Sequence, residues 1–121
     1  MTSILLVEDD GELRTLWELY LEPLGYEIFH AVNGLEALYQ VKYQLPDLVV
    51  LDLMMPTASG DLVLGFMRST DELKDIPVLV VSAHQQVEKL AREYEADAWL
   101  KKPVGVEDFR NAVQSLLVPI R

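Results

Sequence analysis

The chain has 121 residues, half of them hydrophobic, and carries a formal net charge of −10 at pH 7. This length suits one domain with a single core, and the apolar content excludes a disordered chain. The negative charge argues against a nucleic-acid surface, and no apolar stretch is long enough to span a bilayer. The lack of cysteine excludes disulfides and thiolate metal sites and, with no leader-like start, favours a cytoplasmic protein.

Short apolar runs alternate with helical patterns along the chain, which predicts repeated βαβ units in one domain over residues 1–121. We expect strands near residues 3–8, 27–31, 47–51, 77–82 and 97–101. We expect helices near residues 11–23, 34–44, 60–70, 85–95 and 106–117. Pro23 and Gly25 are expected to end the first helix, and Asn33-Gly34 and Asp47 to mark turns in the second unit.

Polar side chains follow four of the apolar runs, at the points where the strands are expected to end. They are Glu8-Asp9-Asp10, Asp52, Ser82 and Lys102. The carboxyl ends of the strands line the ligand crevice of an open parallel sheet, so these side chains should meet there. Carboxylates, a hydroxyl and an ammonium together suit a divalent cation and a phosphoryl group.

The acidic run Glu8-Asp9-Asp10 has two interpretations. Hard cations such as Mg²⁺ take carboxylate oxygens, and two acids at a strand end can turn into one crevice. Alternatively, Asp10 or Glu12 complements the start of the first helix by capping and by its dipole. For Asp10 we favour the cap, whereas Glu8 and Asp9 alone leave both interpretations open.

Asp52 opens the next loop, and a carboxylate in this position can act as a nucleophile and form an acyl phosphate. An isolated Asp after a strand is usually a turn or cap residue, the role expected for Asp71, Asp75 and Asp97. Asp52 differs because acids, a hydroxyl and Lys102 occupy the neighbouring strand ends. Pro103 favours an extended conformation at Lys102 and should aim it toward the crevice, with Lys101 facing solvent.

With these residues in place, the chain resembles the receiver domain of two-component response regulators. The resemblance covers essentially the whole chain and rests on short motifs in matching order. They are Leu5-Leu6-Val7-Glu8-Asp9, Asp52 with Met55-Pro56 and Ser59-Gly60, Val81-Ser82-Ala83, and Lys102-Pro103. The resemblance implies a doubly wound, flavodoxin-like α/β fold with a five-stranded parallel sheet in the order 2-1-3-4-5.

The resemblance also implies a role for each matching residue. Asp52 would be the phosphoacceptor, and Glu8 and Asp9 the Mg²⁺ acids, with Asp52 and the Met54 backbone carbonyl as further ligands. Ser82 would turn its hydroxyl toward the phosphoryl group. Lys102 would pair with Asp52 or its phosphate, and Trp99 would be the aromatic switch residue. Met54 and His84 would border the path of a hydrolytic water.

Some residues depart from the family pattern. Trp99 is bulkier than the usual switch aromatic, and it could instead be a surface side chain packed on the fourth or fifth helix. Glu95 stands where many receivers have glycine, so it must leave the helix without left-handed geometry or accept strain. Ala98 replaces an acid used in one type of receiver dimer.

The resemblance implies a signalling switch rather than an enzyme with a separate substrate, since it catalyses only its own phosphorylation and dephosphorylation. A sensor histidine kinase or a histidine phosphotransfer protein would supply phosphate, and an unidentified effector would read the result. The domain itself would bind neither nucleic acid nor membrane, and the family pattern allows a phosphorylation-dependent homodimer. Two alternatives are an interaction module that works without phosphorylation and an Asp-nucleophile phosphatase of the haloacid dehalogenase type, in which a second Asp would stand where Met54 is.

Overall fold

The computed structural model describes residues 1–55 and 59–117, which form alternating strands and helices. The strands are β1 (Ser3–Val7), β2 (Glu27–Ala31), β3 (Leu48–Leu51), β4 (Val78–Ser82) and β5 (Ala98–Lys101). The helices are α1 (Gly11–Leu21), α2 (Gly34–Gln44), α3 (Gly60–Arg68), α4 (Val87–Glu93) and α5 (Val106–Leu117). Among the described residues, no helix is both long and apolar enough to cross a membrane.

The five strands form one parallel sheet in the order β2-β1-β3-β4-β5, which confirms the expected topology. The strands β1, β3 and β4 are buried along their whole length, as continuous apolar runs predict for inner strands covered on both faces. The register pairs Val7 with Leu51 and Leu51 with Val80. Glu8 and Asp52, which follow the paired ends of β1 and β3, therefore leave the sheet at the same level.

Successive side chains along each strand point to opposite faces of the sheet and pack into two hydrophobic cores, one on each face. Ile4 and Leu6 point to the side covered by α1 and α5, where Trp17 stacks on Phe109 with ring centroids 5.5 Å apart. Leu5 and Val7 point to the side covered by α2, α3 and α4. Helices thus cover both faces of the sheet, while the carboxyl ends of the strands carry the polar side chains.

The helix boundaries agree with the sequence except at a few ends. Asp10 caps α1, its Oδ1 accepting from the backbone N–H groups of Glu12 and Leu13 at 3.0 and 3.3 Å, as expected. The helix ends at Leu21, earlier than the predicted residue 23, because Pro23 lies in a separate 3₁₀ turn over Glu22–Leu24. Gly25 then reverses the chain with φ of 79°. The fourth helix is also shorter than the predicted residues 85–95.

Two aspartates tie neighbouring strands together at the other end of the sheet. Asp47 accepts from the backbone N–H of Ser3 at 2.8 Å, and Asp97 accepts from that of Val78 at 2.8 Å. Each aspartate precedes a strand and satisfies the first donor of the adjacent strand, which the sheet itself leaves unpaired. Asp97 therefore has a structural role, as expected, but it joins segments distant in sequence, whereas a turn or cap was predicted.

Arg68, at the end of α3, joins two loops next to Asp97. Its Nη1 donates to the carbonyl oxygens of Lys74 and Ile76 at 3.0 and 2.8 Å, and its Nε donates to that of Glu95 at 2.9 Å. Its Nη2 bonds Asp97 Oδ2 at 2.7 Å. Glu95 has φ of 63°, so the chain accepts left-handed strain at a position where glycine would be free of it.

Candidate functional site

Three carboxylates converge at the carboxyl ends of β1 and β3. Glu8 and Asp9 follow β1, Asp52 follows β3, and one oxygen from each lies within 4.8 Å of the others. Glu8 and Asp52 are only 1% and 3% exposed, while Asp9 is open to solvent. The pairing of Val7 with Leu51 places these residues side by side, as the sequence predicted.

Lys102 reaches into this group from the end of β5. Its Nζ lies 2.5 Å from Glu8 Oε1 and 3.2 Å from Asp52 Oδ2. The same Nζ lies 5.7 Å from the ring centroid of Trp17, which closes one side of the site. The Lys102-Pro103 peptide bond is cis. Lys101 is exposed, in agreement with its predicted solvent position.

Burial and charge alter the protonation of this group. Burial in the strand-end crevice raises the pKa of Glu8 from 4.5 to about 7, and neighbouring Asp9 and Asp52 add to the rise against the opposing effect of Lys102. Burial disfavours the charged form of Lys102, but Glu8 and Asp52 outweigh that effect, so the pKa of Lys102 lies above its ordinary 10.5. Lys102 is therefore a fixed positive charge at neutral pH, and Glu8 can hold a proton near pH 7.

The loop after β3 holds Asp52 by its own backbone. Asp52 Oδ1 accepts from the Met54 N–H at 3.1 Å, and the Gly60 N–H donates to the Leu53 carbonyl oxygen at 3.2 Å. A Cβ on Gly60 would overlap the Asp52 carbonyl oxygen and lie 2.7 Å from Leu53 Cα, so the start of α3 fits against this loop only because residue 60 is glycine. Pro56, in the Met55-Pro56 motif, lies outside the described residues.

Ser82 ends β4 beside the same crevice and is fully buried. Its Oγ accepts from the backbone N–H of His84 at 3.2 Å, and among the described residues its hydroxyl proton has no acceptor. Its carbonyl oxygen accepts from the backbone N–H of Lys102 at 3.0 Å. Ser82 and Lys102 are thus linked through the main chain.

Trp99 lies half-buried on β5 and packs on the side of the sheet covered by α4. The Arg92 guanidinium of α4 lies over its ring, with Cζ 4.8 Å from the ring centroid. Arg92 Nε also bonds Glu88 Oε2 at 3.2 Å. This position agrees with a surface aromatic packed on the fourth helix, one of the two interpretations of Trp99, and it leaves the switch role a prediction.

Arg14 is a site neighbour that the sequence did not identify. Its Nη1 donates to the Glu8 carbonyl oxygen at 2.7 Å and so fixes the turn that carries Glu8 and Asp9. Gly11 is its near neighbour, since a Cβ there would lie 3.7 Å from Arg14 Nη2. No spacing rule links position 14 to position 8, and only the folded loop brings the two together.

The donor set fits a divalent cation. Three converging carboxylates face one ammonium, which leaves an excess of negative charge in a crevice where two of the acids are almost fully buried. All three acids offer oxygen, the ligand atom that Mg²⁺ prefers, and exposed Asp9 keeps one side open to water. The same crevice offers cationic and hydroxyl groups for the oxygens of a phosphoryl group.

A doubly wound domain with acids and a lysine at adjoining strand ends has the form of a signalling receiver. The family model described as the response regulator receiver domain matches residues 4–114, and the chain belongs to that family. At the family level its function is that of a phosphorylatable receiver in two-component signal transduction.

Two named relatives and one solved structure agree with this assignment. The polar-differentiation response regulator DivK of Brucella anthropi is 34% identical over 117 residues, 95% of each chain. The DNA-binding dual master transcriptional regulator RpaA of Synechocystis is also 34% identical, over 97% of this chain and 49% of that protein. A response regulator structure from Chloroflexus aurantiacus has a TM-score of 0.90 at 29% identity, covering 96% of this chain and 97% of that one.

A more distant structure shares the fold. The receiver domain of a sensor histidine kinase from Pseudomonas aeruginosa has a TM-score of 0.88 at 23% identity, covering 96% of this chain and 97% of that one. That protein has a magnesium ion coordinated in its active site cleft. The fold expected from the sequence is therefore confirmed by family, relatives and structural neighbours alike.

Proposed function

We propose that Asp52 accepts a phosphoryl group from a phosphohistidine donor and that the acylphosphate changes the surface formed by α4, β5 and α5. The observation that carries this proposal is the Lys102 ammonium held between Glu8 and Asp52 at the strand ends. It gives a buried carboxylate a fixed positive charge at the place where phosphoryl oxygens would arrive.

In the transfer, an Asp52 carboxylate oxygen attacks phosphorus while the bond from phosphorus to the donor imidazole nitrogen breaks. The electron pair of that bond stays with the imidazole, and the product is an acylphosphate on Asp52. Lys102 then keeps its contact with Glu8 and also pairs with a phosphoryl oxygen. The Ser82 hydroxyl, whose oxygen already accepts from the His84 N–H, donates its proton to another phosphoryl oxygen.

Glu8, Asp9, Asp52 and the Met54 backbone carbonyl are the groups that would hold Mg²⁺. When bound, Mg²⁺ offsets the charge between the carboxylates and the incoming phosphate. Asp9→Ala should weaken Mg²⁺ binding far more than Asp10→Ala, because Asp10 is engaged as the cap of α1. Equal losses for the two variants, measured by calorimetric titration with Mg²⁺, would contradict this ligand set.

An apolar cleft beside Lys102 supplies a docking place for the donor protein. It has a volume of about 500 Å³ and lies between α1 and the loop after β5. Leu13, Leu16 and Tyr20 line it on one side and Pro103 on the other. Leu16→Asp should therefore slow transfer from a protein donor and leave phosphorylation by acetyl phosphate unchanged. Loss of both, or of neither, would refute this docking place.

The proposed output runs from Ser82 to Trp99. Phosphate should draw the Ser82 hydroxyl toward Asp52, and the space it leaves should alter how Trp99 packs against Arg92 of α4. An effector, or a second phosphorylated copy, would then read the altered surface of α4, β5 and α5.

Two other functions are less well supported. An Asp-nucleophile phosphatase needs a second acid to protonate its leaving group, and the side chain two residues after Asp52 is Met54, which has no proton to give. An interaction module that works without phosphorylation would have no use for the buried Asp52–Lys102–Glu8 group, whose burial costs stability. Phosphorylation therefore explains the site better than either alternative.

The proposal is tested by incubating the protein with acetyl phosphate and Mg²⁺ and weighing the intact chain. One phosphoryl adduct should form, it should require Mg²⁺, and Asp52→Asn should abolish it. Asp10→Asn is the matched control, because it removes a neighbouring acid outside the proposed site and should leave the adduct intact. An adduct on the Asp52→Asn protein would refute the assignment, and sustained hydrolysis of a phosphomonoester would favour the phosphatase.

A further inference from the structure

The backbone carbonyl oxygen of Glu8 lies where the bonding between β1 and β2 stops. The Glu8 N–H still donates to the Ala31 carbonyl oxygen at 3.1 Å, and a continued parallel ladder would bring the Asn33 N–H to the Glu8 carbonyl oxygen. Asn33 instead caps α2, and its side chain accepts from the Glu36 N–H at 2.8 Å. Glu8 is only 1% exposed, and a buried carbonyl oxygen without a donor costs free energy. This oxygen therefore needs a donor from outside the sheet.

Arg14, near the start of α1, supplies that donor. Its Nη1 donates to the Glu8 carbonyl oxygen at 2.7 Å, which is a short, charge-assisted hydrogen bond. The backbone N–H of Arg14 also donates to the Asp10 carbonyl oxygen at 2.9 Å. Arg14 therefore bonds the main chain on both sides of Asp9 and holds the turn in which this acid lies.

Asp9 depends on that turn for its position more than the other two acids of the site do. Lys102 contacts the carboxylates of both Glu8 and Asp52 and so fixes where they lie. Asp9 is open to solvent, and among the described residues no lysine or arginine contacts its carboxylate. Its place beside Glu8 and Asp52 is therefore set by the main chain that Arg14 holds.

We propose that Arg14 is a positioning residue for the Mg²⁺ site, because it holds the turn with Glu8 and Asp9 in the form that binds the ion. The inference rests on the proposed function, since it takes these acids and Asp52 as the metal ligands. A turn that is already ordered loses little freedom when the ion binds, and the ion binds more tightly as more molecules hold the competent form. Groups that orient metal ligands in this way change metal affinity by about 10- to 100-fold.

The hydrogen bond and the charge of Arg14 have opposite effects on Mg²⁺ binding. A guanidinium near the acids repels a divalent cation, so the loss of its charge alone would strengthen Mg²⁺ binding. The loss of its bond to the Glu8 carbonyl oxygen frees the turn and should weaken Mg²⁺ binding. Because the two effects differ in sign, the direction of the measured change shows which of them dominates.

Calorimetric titration with Mg²⁺ measures that change. Arg14→Met should weaken Mg²⁺ binding at least about tenfold. Arg14→Lys should recover most of the affinity, since its ammonium can donate to the same carbonyl oxygen. Arg110→Met is the matched control, because Arg110 Nε donates to the Tyr20 carbonyl oxygen at 2.6 Å, at the other end of α1. The control removes the same charge and a similar bond, and it should leave the Mg²⁺ affinity unchanged.

Phosphorylation by acetyl phosphate separates positioning from the transfer step. In Arg14→Met, the Mg²⁺ concentration that gives half the maximal rate should rise by the same factor as the dissociation constant. The rate at saturating Mg²⁺ should stay within about twofold of the wild type. Unfolding temperatures in EDTA check that each variant is folded. Arg14→Gln, which is also uncharged and is too short to hold the bond, replaces Arg14→Met if the latter does not fold.

Four results would overturn the inference. An Arg14→Met protein that binds Mg²⁺ as tightly as the wild type, or more tightly, would reduce Arg14 to a nearby charge. Failure of Arg14→Lys to recover affinity would deny the role of the carbonyl bond. Equal weakening by Arg110→Met would make the effect one of general stability. A lower rate at saturating Mg²⁺ with unchanged affinity would place Arg14 in the transfer step.

These results leave the proposed function standing as long as the wild type gains one phosphoryl group on Asp52. A wild type that binds Mg²⁺ but gains no phosphoryl group would refute the proposed function, and the comparison of Mg²⁺ affinities would still decide the role of Arg14.

Discussion

The Lys102 ammonium lies 2.5 Å from Glu8 Oε1 and 3.2 Å from Asp52 Oδ2, so its closer partner is the acid that follows β1. A lysine in this position both neutralises Glu8 and stays within reach of Asp52. Its positive charge therefore neutralises part of the carboxylate charge that a divalent cation would otherwise neutralise. Removing Lys102 should then change how strongly Mg²⁺ stabilises the protein.

Lys102→Met tests this relationship. Without Mg²⁺, the variant leaves buried carboxylates without their ammonium and should lose about 2 kcal/mol of unfolding free energy at pH 8. Added Mg²⁺ should recover more stability than it gives the wild type, because no ammonium competes with it. Thermal unfolding in EDTA and in Mg²⁺ measures both effects. Lys101→Met, which changes an exposed lysine, should behave as the wild type does; a similar loss there would remove the special role of Lys102.

The raised pKa of Glu8 makes stability without metal depend on pH. Its pKa is about 7 in the folded chain against 4.5 as reference, so the folded state holds an extra proton between these values. Stability from this group is fully present below pH 4.5 and is lost as pH rises through 7, by about 1 to 3 kcal/mol.

Mg²⁺ should reverse this trend, because it binds the deprotonated carboxylate. Its stabilising effect should be small at pH 5.5 and large at pH 8, as read from unfolding temperatures with EDTA and with Mg²⁺. Glu8→Gln removes the titrating group and should flatten the dependence in EDTA over this range. A Glu8→Gln protein with the same pH profile as the wild type would assign the profile to other groups.

Gly60 and Gly65 make a matched pair within α3. Gly60→Ala should destabilise the protein by several kcal/mol and displace Asp52, because the new Cβ meets the Asp52 and Leu53 backbone. Gly65→Ala meets nothing within 4 Å and replaces a mid-helix glycine, so it should stabilise the protein by about 0.5 to 1 kcal/mol. Chemical denaturation gives both values. Similar effects of the same sign would mean that the Gly60 contact is unimportant.

The two tryptophans should report different events on phosphorylation. Trp17 is 1% exposed and lies under Lys102, so it senses the site directly, whereas Trp99 lies under Arg92 at the proposed output surface. With Trp17→Phe, emission should still change when acetyl phosphate and Mg²⁺ are added. If phosphorylation changes the emission of the Trp99→Phe protein but not that of the Trp17→Phe protein, the structural change is confined to the phosphorylation site. Coupling through Trp99 would then be wrong.

Met54 should slow the loss of phosphate. Its side chain is 56% exposed and lines a cleft with His84 and Gln85 beside Asp52, and it cannot orient a hydrolytic water. Met54→Asn offers an amide and should speed dephosphorylation of the isolated protein in Mg²⁺ by about 2- to 10-fold, the scale of one hydrogen bond. His84 contributes little if His84→Ala decays at the wild-type rate. Decay that is unchanged or slower in Met54→Asn would contradict the steric argument.

The sequence predicted the sheet because its inner strands are uninterrupted apolar runs, and each run ends in a residue too polar to be buried without a reason. That pattern was sufficient to bring Glu8, Asp9, Asp52, Ser82 and Lys102 to one edge. It could not predict which carboxylate Lys102 approaches more closely, since that depends on where side chains settle after the strands have aligned. Arg14 was missed for the same reason, because its bond to Glu8 exists only once the first loop has folded.

The left-handed conformation of Glu95 was one of two outcomes that the sequence left open. The alternative was a helix end without that geometry, and the choice depends on the contacts around the turn. Arg68 Nε donates to the Glu95 carbonyl oxygen, and the Ala96 backbone N–H donates to the Ala91 carbonyl oxygen at 2.8 Å. These partners outweigh a strain of about 1 kcal/mol at a non-glycine residue. Neither partner has a sequence signature that could have been recognised beforehand.

The hydrogen bonds of Arg68 hold the C-terminal end of α4 in place relative to α3. One guanidinium fastens the loop before β4 and the turn after α4 to the end of α3, at the edge of the sheet remote from the strand-end acids. The far end of α4 is thereby held while its beginning, next to Ser82 and His84, is not bonded in this way. A structural change at the acids should therefore tilt α4 about its C-terminal end instead of translating the whole helix. The displacement should then be greatest where α4 begins.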